Sequence, residues 1–455
     1  MSNKYNHKYN PRPHDRTAIE FLLTHQHAGL LLVPGLGKTA ITLYSFKFLK
    51  DLGELDKMFI IAPLRVCHLV WPREAAKWEQ FRGLSVGVLH GKDKEQVLSE
   101  DHDIYVINPE GLRWFMGYAK NFFKSGKWML TCDESTLFKN SRSQRFKNVK
   151  KLLGWFTKRL ILTGTPAPNG LINLWSQMYI LDKGEALGKF VTQFRNKYFY
   201  PSGFMGYAYK LQPGGDKAIY SATKENLLYM GAEHLDLPEL THNYMPVELP
   251  VAARKIYAAM KDEFITGLPD GGKSVAVNGA VVYGKLRQIA NGGVYDEEGK
   301  AVLIHNAKTA ALQELVDSLD GTPLMVFYEF NHDLKRLREV YPDAPHLGSG
   351  VSTSATADIQ DKWNNNEIPL LLLHPAAAGH GLNLQESDCR AICWYSIPWD
   401  LEYYDQAIKR VHRSGVGNAV VCHHLVAEDT IDEKIVKVLA GKGSVQQALL
   451  NELKK

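Results

Sequence analysis

Cysteine is scarce, with five in 455 residues, too few for a disulfide framework in a chain this long. Long apolar runs are missing as well: stretches such as Gly29–Pro34 and Pro369–Leu373 fall far short of the ~20 residues that a membrane span needs. The opening segment Met1–Arg12 is polar and has no apolar centre, so no secretory signal is expected. Nor does one sign of charge dominate. Lys and Arg number 54 against 49 Asp and Glu, a net +5, which alone does not imply nucleic acid. What is present is a globular composition, 45% hydrophobic and 23% charged, and that excludes a disordered, collagen-like or fibrous chain. The length suits roughly two to four domains, each with its own core. Cys389 and Cys393 are spaced for one helix face, but Arg390–Tyr395 reads as a strand, and no His/Cys quartet of zinc spacing accompanies them. The cysteines are therefore expected to be buried, reduced thiols in a reducing cytoplasm.

The first part of the chain alternates short apolar runs with amphipathic stretches. Strands are predicted at Gly29–Val33, Met58–Ala62, Val86–His90, Ile104–Asn108, Trp128–Cys132 and Arg159–Thr163, with helical patterns between them at Ala40–Lys50 and Val70–Gln80. This alternation predicts an α/β fold with a parallel sheet covered on both faces. From about Leu181 to Gly284 continuous apolar strands disappear, and Pro269–Gly272 marks an exposed loop, so this stretch is read as a mostly helical insertion and linker. The alternation then returns, with strands at Leu324–Tyr328, Leu370–Leu373, Arg390–Tyr395 and Ala419–Val426, and helices at Asn331–Tyr341, Thr353–Asn365 and Leu401–His412. Three segments follow: a lobe over 8–180, the insertion over 181–284 and a second lobe over 285–455.

The sharpest local signal is Gly35-Leu36-Gly37-Lys38-Thr39, between the apolar Leu30–Val33 and a helical pattern. Glycines let backbone N–H groups turn towards phosphate oxygens, and the helix N-terminus adds partial positive charge. Pro34 to Ala40 form the candidate phosphate cradle, in which Lys38 can reach the β- and γ-phosphates and Thr39 can ligate Mg²⁺. The bland alternative is a glycine turn that happens to hold a lysine. A buried strand then leads into Asp133-Glu134, where Asp133 would hold Mg²⁺ and Glu134 would act as general base on the attacking water. The alternative there is a solvated carboxylate pair at a strand end.

These residues resemble a known family. Gly35–Thr39, Asp133-Glu134 and Leu162-Thr163-Gly164-Thr165-Pro166 look like helicase motifs I, II and III, Gly379–Gln385 like motif V, and Gln406–Gly415 like motif VI. Their order is that of superfamily-two helicases, and the flavour is similar to Swi/Snf DNA translocases in a compact, bacteriophage-like form. The resemblance implies two tandem RecA-like parallel-sheet lobes, ATP with Mg²⁺, and DNA as the track. It implies catalytic roles for Lys38, Asp133, Glu134, Gln406, Arg410 and Arg413, the two arginines stabilising charge on the γ-phosphate from one face of a shared helix. Gly381 would approach nucleotide, and Lys139, Asn140, Thr163, Gly164, Thr165 and Gly379 would serve the nucleic-acid side. Arg12-Pro13-His14-Asp15 resembles the adenine-reading Arg-Pro-Tyr-Gln, with His14 on the ring and Asp15 at the base edge. For Asp15 the alternative is a cap for the helix that follows. Motif II departs from the pattern, reading Asp-Glu-Ser-Thr in place of a sequence ending in histidine.

Between Lys120 and Arg159 there are eleven Lys and Arg but only two acids. This is a plausible track for phosphate backbone, against the alternative of a solvated helix face. No base-reading module is evident, so contact with little sequence specificity is expected. The reading is an ATP-driven translocase on DNA, most plausibly duplex, in the cytoplasm of a cell or of a phage host, with no membrane role and with targeting left to a protein partner. The rivals are a strand-separating DNA or RNA helicase and an ATP-dependent switch that recruits a partner.

Overall fold

The computed structural model describes residues 7–164, 171–202, 208–231, 239–266, 274–378, 382–384, 386–398, 401–412, 419–437 and 439. The chain divides into two compact units, the break falling between Asp236 and Leu237. Among the described residues of the first, nine strands run in chain order: β1 (His27–Leu32), β2 (Lys57–Ile61), β3 (Val86–Val88), β4 (Ile104–Ile107), β5 (Trp128–Asp133), β6 (Phe156–Thr163), β7 (Phe199–Ser202), β8 (Ala208–Leu211) and β9 (Leu227–Met230). Seven of these form one sheet in the order β3-β4-β2-β5-β6-β1-β9, parallel at every pairing. The remaining pair, β7 and β8, is an antiparallel hairpin.

The central strands are apolar at consecutive positions because both faces are covered. Alternate residues feed two separate cores. Leu31, Phe59, Ile61, Leu130 and Ile161 point into one. Leu30, Leu32, Met58, Ile60, Met129 and Leu162 point into the other. The predicted helix over Val70–Gln80 is split into a helix, Trp71–Lys77, and a 3₁₀ turn, Glu79–Phe81, and a separate short helix, Leu64–Leu69, precedes them. Pro72 lies in the first turn of Trp71–Lys77, where its missing N–H costs nothing.

The second unit holds β10 (Leu240–Val247), β11 (Gly293–Tyr295), β12 (Ala301–Leu303), β13 (Leu324–Phe327), β14 (His346–Leu347), β15 (Leu370–Leu373), β16 (Ala391–Trp394) and β17 (Val420–Ala427). Six form a parallel sheet in the order β10-β17-β16-β13-β15-β14. Here too the faces alternate, with Met325, Phe327, Leu371 and Trp394 in one core and Leu324, Val326, Leu372 and Cys393 in the other. Buried Lys308 donates to Asn291 Oδ1 at 2.7 Å and pairs with Asp432 at 2.6 Å, so its charge is matched inside the fold, as burial requires.

The two parallel-sheet lobes are thus present. The stretch 181–284 is helical at Val191–Tyr198, Gly215–Thr223, Val251–Thr266 and the first part of Ser274–Asn291, but it also contains β7 to β10. Contrary to the expectation that strands disappear there, β9 completes the first sheet and β10 forms an edge of the second. The five cysteines are all buried and free. Among the described residues no helix is long and apolar enough to cross a membrane.

Candidate active site

β5, β6 and β1 are consecutive in the first sheet. Their carboxyl ends therefore deliver Asp133-Glu134, Thr163-Gly164 and the Val33–Thr39 loop side by side, where open parallel sheets hold their ligands. In the loop, Gly35 (φ 99°) and Gly37 (φ 73°) occupy left-handed conformations that favour glycine. Gly37 is the N-cap of the helix Lys38–Asp51, and no side chain caps that end. The first-turn N–H groups are thus oriented as an anion site requires. Leu36 and Ala40 are buried, and Pro34 and Thr39 half-buried. Lys38 Nζ donates to the Leu32 carbonyl at 2.7 Å, which folds its side chain back over the loop.

The acidic pair is held by specific donors. Trp71 Nε1 donates to Asp133 Oδ2 at 3.0 Å. Glu134 Oε1 accepts from Thr163 Oγ1 at 3.0 Å and from Thr136 Oγ1 at 2.7 Å. Glu134 itself has φ 60°, a left-handed conformation that is costly outside glycine and clusters at functional sites. Burial, then the neighbouring Glu134 charge, push the Asp133 carboxyl up to about 6, against the pull of Lys38 and the Trp71 bond. A recess that resists a second negative charge while Lys38 faces it is suited to a cation. Asp133 and Thr39 carry the oxygens that would hold Mg²⁺ there.

Motif III belongs to the same site. Thr163, predicted on the nucleic-acid side, bonds the Glu134 carboxylate, and a Cβ on Gly164 would lie 2.9 Å from Pro34 Cδ. Motif II's departure also has a local use: Thr136 bonds Glu134, and Ser135 Oγ donates to Gln177 Oε1 at 2.7 Å. Trp71 and Thr136 carry no predicted role in the sequence. Trp71 lies 62 positions from Asp133, and only the fold brings the two together.

Asp15 is almost wholly buried (1% exposed). The helix begins at Pro13, earlier than expected, which makes Asp15 its third residue. Its carboxylate accepts the Arg12 backbone N–H at 3.0 Å and the Arg12 guanidinium at 3.1 and 3.2 Å. His14 Nε2 lies 3.1 Å from Asp15 Oδ1. The Arg12–Asp15 clamp also backs the phosphate loop, since a Cβ on Gly37 would stand 3.1 Å from Arg12 Nη2 and 3.6 Å from Asp15 Oδ1.

In the second unit the predicted helix Leu401–His412 ends at Ile408, so Arg410 lies in the turn beyond it and not on the helix. Its Nη1 donates to the Leu382 carbonyl at 2.9 Å, and Gln406 is buried on the helix. Thr165, Gly379, Gly381 and Arg413 lie outside the described residues.

The basic stretch separates into two groups. Arg142, Arg145, Lys147, Lys150 and Lys151 are exposed on or before the helix Gln144–Leu152. Asn140 Oδ1 accepts from Arg142 N at 2.9 Å, and Lys139 N donates to the Thr136 carbonyl at 3.1 Å, building the turn that leads from the acidic pair to this helix. Lys158 and Arg159, by contrast, are buried. Lys158 Nζ donates to the carbonyls of Leu22 and His25, and Arg159 Nε to that of Leu181. They brace the interior and leave the basic track.

Comparison with known proteins matches residues 14–292 to the SNF2-related domain and 307–415 to the helicase conserved C-terminal domain. The chain belongs to the SNF2-related family of ATP-dependent helicases and translocases. It is 33% identical to putative protein p41 of Acyrthosiphon pisum secondary endosymbiont phage 1, over 98% of this chain and 99% of that one. It is also 25% identical to the putative ATP-dependent helicase/translocase YwqA of Bacillus subtilis, over 98% of this chain but 50% of that protein. This SNF2-related chain thus spans nearly all of its phage relative and half of the bacterial one. Among solved structures it is similar to the Sulfolobus solfataricus SWI2/SNF2 ATPase core in complex with dsDNA, at 23% identity and a TM-score of 0.46, covering 99% of this chain and 98% of the other.

Proposed function

We propose that this protein hydrolyses ATP to move along duplex DNA. The observation that carries the reading is the convergence of Lys38, Asp133, Glu134 and Thr163 at three adjacent strand ends, with the carboxylates held by Trp71, Thr136 and Thr163. The uncapped helix end and Lys38 bind the phosphates. Glu134 Oε1 is occupied by two threonine hydroxyls, which orients Oε2 to take a proton from the water that attacks the γ-phosphorus as ADP leaves. Asp133 and Thr39 would hold Mg²⁺, which when bound supplies charge neutralisation on the phosphate oxygens. Arg410 and Arg413, with Gln406, Gly379 and Gly381, are assigned by resemblance to the charge-stabilising and nucleotide-facing roles of the second lobe. The clamped Asp15 leaves His14 as the candidate neighbour of the adenine ring. Exposed Arg142, Lys147 and Lys151 would follow phosphate backbone, with Lys139 and Asn140 beside them; Thr165 is assigned to the same role by resemblance alone.

The test is ATPase rate with no polymer, single-stranded DNA, duplex DNA and RNA, at several salt concentrations. Duplex of any sequence should stimulate strongly, and the stimulation should fall steeply with salt as counterion release predicts. Triplex displacement should occur, with weak unwinding of forked duplex. Glu134→Gln should retain ATP binding and stop turnover, while Lys38→Ala should abolish hydrolysis and weaken ATP binding. Stimulation by RNA alone, or none by any polymer, would sink the duplex reading. Wild-type turnover in Glu134→Gln would remove that residue as the base.

A further inference from the structure

The second unit carries a cluster of soft ligands that ATP hydrolysis does not use. Cys422 and His424 are two apart on β17 and so face the same side of the sheet. β10 runs beside them, with His242 directly opposite Cys422 in the register. The Cys422 Sγ and one ring nitrogen of each histidine all lie within 4.8 Å of one another, and Cys422 Sγ is 3.8 Å from His424 Nε2. A tetrahedral zinc with Zn–S of about 2.3 Å and Zn–N of about 2.0–2.1 Å sets its ligand atoms about 3.3–3.6 Å apart. One pair is thus close to that spacing, and rotation of exposed His242 would close the rest.

From this geometry we infer that His242, Cys422 and His424 form a zinc site. A thiolate with two imidazoles is a borderline-soft set that suits Zn²⁺ and not Mg²⁺ or Ca²⁺. On binding, Cys422 releases its thiol proton to solvent and each histidine contributes a ring-nitrogen lone pair. The exposed His242 supplies the entry path, and water takes the fourth position. His424 Nε2 bonds the Tyr404 hydroxyl at 2.7 Å. Once zinc holds that nitrogen, the hydroxyl is free to turn towards the bound water, the kind of outer-shell support metal ligands usually have. Tyr404 sits on the helix that carries Gln406. The ion would therefore pin the edge strand β10 to β17 beside motif VI, and it would act as a structural staple independent of the proposed track.

The experiment uses the full chain, purified without a histidine tag and stripped with EDTA, titrated with Co²⁺ as a spectroscopic probe and then with Zn²⁺. One equivalent of Co²⁺ should give a thiolate charge-transfer band and tetrahedral visible bands, which Zn²⁺ abolishes. Zn²⁺ should also raise the melting temperature over the EDTA value. His242→Ala, at an exposed position, should fold as the wild type does in EDTA, yet bind at least ~100-fold more weakly, the upper end of what a lost outer-shell partner costs. Cys422→Ser should lose the charge-transfer band. His423→Ala, on the opposite face, should keep it. The proposal falls if the wild type gives no such band, or if the band survives both His242→Ala and Cys422→Ser.

Discussion

Trp71 is fully buried, and its one polar atom points at Asp133. Hydrogen bonds to charged groups contribute about 1.5–3 kcal/mol, and each 1.4 kcal/mol is about tenfold in rate. Trp71→Phe keeps an aromatic ring and removes the donor. It should cut kcat by ~10- to 100-fold and raise the Mg²⁺ concentration needed for half-maximal rate, with a smaller change in KM for ATP. The second readout matters because a cavity would lower the melting temperature without touching Mg²⁺ dependence. Melting alone, with normal kcat and Mg²⁺ response, would leave Trp71 a core residue and nothing more. At this scale the sequence shows the contiguous pieces, Gly35–Thr39 and Asp133-Glu134, because adjacent residues carry their chemistry. It does not show Trp71 on Asp133, Thr163 on Glu134 or Arg12 over Gly37. Those contacts are made by strand order and helix placement.

The strands most readable in the sequence, such as β2, β13 and β15, are buried on both faces and so leave unbroken apolar runs. β10 escapes the same reading. As a sheet edge it exposes Thr241, His242, Asn243, Tyr244 and Pro246. Its Pro246 is tolerated because edge strands have spare donors, and its partner β17 lies about 180 residues away. β9 is four residues long, and its place beside β1 depends on Gly29. A Cβ there would stand 2.4 Å from Leu227 Cδ2 and 3.1 Å from Ile161 Cγ1. Gly29→Val should therefore destabilise the first unit by about 1–3 kcal/mol, the usual cost of overpacking. Adding Leu227→Ala empties the obstructed space, so the double variant should be more stable than the two single losses summed. A double-mutant cycle in urea measures this. Strict additivity would mean that β9 does not pack as described.

For the whole molecule, β9 belongs to the first sheet and β10 to the second, and the break between the two units falls after Asp236. This fixes where the first lobe can be cut. The β1 segment donates to the β9 segment along its outer edge, Gly29 N to Asn226 O at 2.7 Å and Val33 N to Met230 O at 3.2 Å. A fragment ending near residue 180 would lose β9 and bare the edge of an almost wholly apolar strand, a template for pairing with other chains. It would also strip the cover from Leu31 and Ile161, which share a core with Leu227. A fragment ending at Asp236 keeps these contacts. The longer fragment should therefore elute as a monomer, melt cooperatively and bind ATP, while turning over almost none of it without the second lobe's Arg410. The shorter one should aggregate. Size-exclusion chromatography with light scattering, thermal melts and ATP binding on both fragments give the answer. Equal solubility and equal melting would show that β9 is dispensable. Full ATPase activity in the longer fragment would show that hydrolysis needs nothing from beyond Asp236, and the two-lobe mechanism would then fail.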